Sequence, residues 1–171
     1  GVPILEWAAR VDSLMMCFSK GLGAPVGSIL IGRADLIRRA RRARKQWGGG
    51  MRQVGVLAAA CLHAIDHHVD RLFDDHRRAR QLAAGLRLVP GVSVPEPETN
   101  IVMIEPADPA LGREALLRGL HARGVWMGLS GPRRIRAITH LDVDDSGIER
   151  AIAAFQAAAA EALASPAGRL A

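Results

Sequence analysis

A short apolar run, SLMMCFS at 13–19, has charge on one side and a lysine followed by glycines on the other, which predicts a buried strand. Lys20 stands at its end, ahead of the turn-forming stretch GLGAPVG, and SILIG at 28–32 predicts the next strand. Asp35 is positioned to cap a helix reaching Trp47. Leu36, Ala40, Ala43 and Trp47 fall on one face of that helix, with Arg38, Arg41, Arg42 and Lys45 mostly on the other. Gly48, Gly49 and Gly50 stop it. Two further helical segments follow, over 53–69 and 69–86.

Beyond Pro90-Gly91 the pattern changes to strand, strand, helix, strand, strand, helix. The predicted strands are 91–95, 100–105, 124–128 and 134–139. The helix over 110–123 carries Leu116, Leu117 and Leu120 on its apolar side and ends at Gly124. The last helix has Ile148, Ile152, Phe155, Ala159 and Leu163 at core spacing. These elements predict the end of an α/β domain over 1–88, a small α+β domain over 89–165 and a frayed tail over 166–171. No internal repeat is present.

Composition changes this picture in one respect. The net charge is +6, yet among the 23 basic residues only Lys20 and Lys45 are lysine; the others are arginine. Arginine keeps its proton at biological pH, whereas a lysine amine can lose it, so a lysine retained in this background is a candidate for amine chemistry. Cys17 and Cys61 lie in apolar runs without metal-site spacing, as expected of buried thiols in a reducing compartment. No apolar run is long enough to span a bilayer. The chain opens on Gly1, which reads as a start within a longer protein.

Three constellations carry candidate chemistry. The first is CFSKGLGAPVGS at 17–28. A lysine that forms a Schiff base must be held in place with its amine neutral for part of the cycle, and a strand end supplies rigidity and partial desolvation. Glycines after it let the backbone turn beneath a flat ring and approach a phosphate. Equally, Gly21, Gly23, Pro25 and Gly27 could merely build a turn, with Lys20 reaching solvent. The second is Lys45, Gly48, Gly49, Gly50, Met51 and Arg52, either an open backbone loop between two cations suited to an anion or an ordinary glycine helix stop. The third is Arg136 in RIRAITHLDV, either a guanidinium gripping a substrate carboxylate or one of two solvated arginines on an edge strand, with Arg133 and Arg134 as nearby alternatives.

SKGLGAPVGS resembles, nearly letter for letter, the cofactor-lysine segment of the L-threonine aldolases, within the β-eliminating lyase group of fold-type I pyridoxal-phosphate (PLP) enzymes. GGGMRQ at 48–53, DHRRARQLA at 75–83, TNIV at 99–102 and RAITHLDV at 136–143 follow in the family's order, so the resemblance runs from Ile4 to the final helix. It implies an aspartate aminotransferase-like α/β fold, here the end of the large domain plus the small C-terminal one, making up a carboxy-terminal half. It further implies that Lys20 forms a Schiff base with PLP, that Ser19, Gly21, Lys45 and Arg52 contact the cofactor, and that Arg136 clamps the substrate α-carboxylate. Lys45 and Arg52 could serve their own or a neighbouring subunit's site. The reaction implied is retro-aldol cleavage of L-threonine or L-allo-threonine to glycine and acetaldehyde, in a cytoplasmic homo-oligomer arranged as a dimer of dimers. Another PLP-dependent lyase or a racemase of amino acids is the neighbouring alternative.

In that family the stacking histidine, the aspartate at the pyridine nitrogen and the first phosphate loop precede the lysine. These 171 residues alone are therefore expected to bind PLP weakly and turn over little. No metal is expected: His63 and His67, with Asp66, Asp70 and Asp74, lack a third ligand at convincing spacing. His140 is expected to be a satisfied turn residue. The arginine run from Arg33 to Lys45 is the best case for a nucleic-acid-binding module. It has no interleaved aromatics for stacking, so a solvated or subunit-facing helix is expected, with neither nucleic acid nor membrane as partner.

Overall fold

The computed structural model describes residues 2–164, and the chain divides into two compact units, Gly1–Asp70 and Arg71–Ala171. Among the described residues no helix is long and apolar enough to cross a membrane.

The first unit begins with a short helix, α1 (Ile4–Ala8), which the sequence pattern did not predict. An antiparallel hairpin follows, β1 (Ser13–Cys17) and β2 (Ser28–Gly32), with Met15 opposite Leu30. Helices α2 (Ala34–Gln46) and α3 (Gly55–His68) complete the unit. The expectation of buried strands is corrected here. Met15 is 61% exposed, and Met16, Ile29, Leu30 and Ile31 are exposed as well, because the hairpin is a two-stranded ribbon among the described residues. Apolar residues in succession on both faces are the pattern of a strand covered on both sides. Burial in this unit centres instead on Phe18, Leu22, Ala24 and Ala64.

Two details of α2 differ from expectation. Asp35 lies in the first turn and pairs with Arg33 at 3.2 Å rather than capping the helix. Trp47, placed by spacing on the apolar face, is 89% exposed, since it is the residue at which the helix already ends. The glycines do stop it. Gly48, at φ +78°, donates its N–H to Lys45 and Gly49 donates to Arg44 at 2.8 Å, the paired closure that a left-handed residue permits.

The second unit contains α4 (Leu72–Leu86), β3 (Val92–Ser93), β4 (Ile101–Pro106), α5 (Arg113–His121), β5 (Gly128–Ser130), β6 (Arg134–Ile138) and α6 (Asp145–Ala164). Its sheet is antiparallel in the order β3-β4-β6-β5. One face, with Val102, Ile104, Ile135 and Ala137, is buried with Leu82 and Leu86 of α4, Leu116 and Leu120 of α5, and Ile148 and Phe155 of α6. A Cβ on Gly119 would come within 2.8 Å of the Ala158 Cβ, so glycine is what lets α5 and α6 approach so closely. Ala79, Leu82, Ala83 and Leu86 commit α4 to this core. The tail expected over 166–171 lies outside the described residues.

The DHRRARQLA and THLDV segments meet in a buried polar network. Asp75, fully buried, accepts two hydrogen bonds from Arg71, the shorter at 2.6 Å. The Thr139 hydroxyl donates to the Asp75 carbonyl at 2.7 Å. Asn100 and Thr139 exchange two further bonds, amide to carbonyl in each direction. These links tie α4, β4 and the end of β6 together. Replacing Asp75 by alanine strands the Arg71 guanidinium and is expected to destabilise the protein by about 3 kcal/mol or more. Chemical denaturation measures this, and a loss no larger than that of a typical surface substitution contradicts it. Asp144 starts α6 by accepting from the Gly147 N–H and the Ser146 hydroxyl, bonds that hold its carboxyl below the ordinary aspartate range.

Candidate active site

Lys20 follows the end of β1 on an irregular loop that the backbone closes on itself. The Phe18 N–H donates to Gly27 at 3.0 Å, the Ala24 N–H to Phe18 at 3.0 Å and the Gly23 N–H to Lys20 at 2.8 Å. Closure requires Gly23 at φ +69° and Gly27 at φ +124°. Gly27 also lies against α3, where a Cβ would come within 3.4 Å of the Cys61 sulfur. Lys20 and Ser19 are exposed and Gly21 is half-buried, so the partial desolvation expected from a buried strand is not found within this chain. Among the described residues Lys20 makes no ion pair.

The glycine-rich segment approaches the same region of the first unit. Phe18, Gly27 and Ser28 from the lysine segment, Gly49, Met51 and Val54 from the glycine segment, and Leu57, Cys61 and Ile65 of α3 line one apolar cleft of about 530 Å³. Lys20, Lys45 and Arg52 do not line it. Gly50 makes room for the Lys45 stem, whose Cδ would be 2.7 Å from a Cβ at that position. Arg52 is exposed and has no ion pair among the described residues, and the next residue, Gln53, takes φ +54°, a left-handed conformation uncommon outside glycine. The first and second sequence constellations are thus brought together in one unit.

Arg136 belongs to the second unit. Strand alternation sends Ile135, Ala137 and Thr139 inward and leaves Arg134, Arg136 and Ile138 exposed. The three candidate arginines are distinguished by their partners. Arg134 lies 3.2 Å and Arg133 3.9 Å from the Glu105 carboxylate, whereas Arg136 has no ion-pair partner among the described residues. It sits opposite Met103 on one side and Gly128 on the other. A Cβ on Gly128 would meet nothing within 4 Å, so there is open space at the position paired with Arg136. Since β6 pairs with both β4 and β5, Arg136 is on a central strand and not on an edge.

The remaining titratable candidates have local explanations. His140 Nδ1 accepts from the Asp142 N–H at 3.3 Å. Among the described residues no group of three or more His, Cys, Asp or Glu side chains could hold a metal. Cys17 and Cys61 are free and half-buried. Sequence reasoning overlooked His68, whose Nδ1 lies 2.6 Å from the Leu22 carbonyl oxygen in the lysine loop. Nothing in its sequence context distinguished it from the neighbouring histidines.

The chain shares its fold with fold-type I PLP enzymes. Serine palmitoyltransferase from Sphingomonas wittichii superimposes over 92% of this chain and 42% of its own, with a TM-score of 0.72 at 22% identity. The beta-eliminating lyase family matches residues 1–109, and the chain belongs to that family. Among its relatives, the low specificity L-threonine aldolase of Escherichia coli K12 is 40% identical over 160 residues, 92% of this chain and 46% of that protein. Low-specificity L-threonine aldolase 1 of Arabidopsis thaliana is 38% identical over 161 residues, 92% of this chain and 45% of that protein. The chain therefore spans about half the length of the curated relatives it matches.

The residues present fit PLP. An amine without an ion pair among the described residues stands on a loop held by its own backbone, and glycines keep that backbone open. By itself, the second unit offers a guanidinium without an ion-pair partner among the described residues, which suits a carboxylate.

Proposed function

We propose that the chain is part of a longer PLP-dependent aldolase that cleaves the Cα–Cβ bond of L-threonine or L-allo-threonine to give glycine and acetaldehyde. The observation that carries the reading is the unpaired Lys20 amine on its closed loop after β1, within a segment so close to that of the threonine aldolases. When bound, PLP would supply an aldehyde for amines and a ring system that accepts electrons as a bond to Cα breaks.

Lys20 would hold the cofactor through Nζ. Ser19 and Gly21 flank it on the cofactor side. Lys45 and Arg52 supply positive charge toward the phosphate or the substrate, in their own or a neighbouring subunit's site. Arg136 would grip the substrate carboxylate with parallel N–H donors and so fix the orientation of the substrate. The first unit contributes to the large cofactor-binding domain. The second comprises the small carboxy-terminal domain with the helix leading into it.

The assembly proposed is a homotetramer built as a dimer of dimers in the cytoplasm, in threonine breakdown and glycine formation. The two free thiols suit a reducing compartment. The test uses the full-length protein with PLP. A visible absorbance band should appear, borohydride should fix the cofactor to the peptide containing Lys20, and threonine should yield glycine and acetaldehyde in equal amounts. A colourless protein refutes the cofactor assignment. A coloured protein that releases no acetaldehyde, and instead eliminates from or racemises another amino acid, refutes the aldolase assignment.

A further inference from the structure

We infer that His68 is a positioning residue for Lys20, acting through the carbonyl of Leu22. The inference rests on the reading of Lys20 as the cofactor lysine.

A carbonyl oxygen only accepts, so at 2.6 Å His68 must present a protonated Nδ1 to Leu22. Leu22 is buried, and its carbonyl follows Lys20 by two residues in the turn that the Gly23 N–H closes onto the Lys20 carbonyl. The bond spans 46 residues in sequence and comes from the last turn of α3. It is not alone on that helix. Cys61, two turns earlier, directs its thiol to the Val26 carbonyl at 3.6 Å, and Ala64 between them is buried to 1% exposure. Positions 61, 64 and 68 share one helical face, so α3 braces the lysine loop at both ends. His68 is the stronger tie, because a thiol is a weak donor.

The loop's own backbone bonds join residues within 18–27, so none of them ties the loop to α3. The bond from α3 to Leu22 supplies such a tie next to the lysine. Without it, the Leu22 carbonyl can find a donor only if the loop moves toward water, and Lys20 Nζ moves with it. The expected consequence is a less well-aimed amine in an otherwise folded protein.

The test compares His68→Leu, which removes the donor, with His68→Asn, which keeps a side-chain N–H, both in the full-length protein. Without cofactor, hydrogen exchange at the Gly23 and Ala24 amides should quicken by about tenfold in His68→Leu, the equivalent of one lost hydrogen bond. Exchange in α4 and α6 should be unchanged. With PLP, affinity and kcat should fall together by a similar factor while KM for threonine changes little, and His68→Asn should restore most of each. Wild-type exchange at Gly23 and Ala24 in His68→Leu overturns the brace. So does His68→Asn behaving no better than His68→Leu. If His68→Leu does not fold, His68→Asn decides alone: loop exchange and cofactor affinity near wild type support the inference, and losses in both overturn it. A protein that never takes up PLP defeats the functional reading, whereas the exchange measurement still reports on the brace.

Discussion

Lys20→Ala in the full-length protein is expected to abolish the visible band and to lower threonine cleavage by at least about a thousandfold, since in the proposed function one amine serves as covalent anchor and carrier of the cofactor. Lys20→Arg should fail to the same degree. It keeps the positive charge and much of the length, but a guanidinium that never loses its proton cannot condense with an aldehyde. The pair therefore separates amine chemistry from simple charge. The closed loop around residue 20 is held by backbone bonds of Phe18, Gly23 and Ala24, none of which involves the lysine side chain, so the folded structure should survive both changes. Retention of the coloured adduct by either variant would remove the foundation of the proposed function.

The second large effect concerns Arg136. Arg136→Leu should leave the absorbance of the bound cofactor in place while lowering kcat/KM for threonine by about a hundredfold or more, the loss expected if Arg136 makes the proposed charge-assisted bidentate grip. Most of it should appear as a raised KM. Arg136→Lys should recover only part, because an ammonium cannot reproduce two parallel donors. The control is Arg134→Leu. Arg134 is two residues away on the same exposed face but is engaged with Glu105, so its loss should cost little in turnover. Equal effects of Arg134→Leu and Arg136→Leu would mean that the face acts through general charge, and that the carboxylate assignment is wrong.

Much of the second unit was legible in the chain itself. A strand is predicted over 134–139, where β6 lies, and helical spacing named Ile148, Phe155 and Ala159 in α6. One strand was misjudged. Residues 124–128 read as β-forming, yet Gly124 at φ +74° and Val125 return hydrogen bonds to His121 and Leu120 to end α5, so β5 begins only at Gly128. Local hydrophobicity cannot reveal that an apolar residue is already committed to a helix stop.

For the candidate site, sequence identified the residue types and their order. Lys20 stood out because lysine is scarce here, and Gly48 because a helix needs a left-handed residue at which to end. Both are local properties, set by side-chain chemistry and backbone sterics. Structure alone decided which of three neighbouring arginines is free, since Glu105 is 29 residues from Arg134 in sequence and reaches it only through the pairing of β4 with β6. Tertiary structure also brought His68 to Leu22 and buried Asp75 against Thr139. Such partners are chosen by packing between distant segments, which leaves no period or spacing in the chain to announce them.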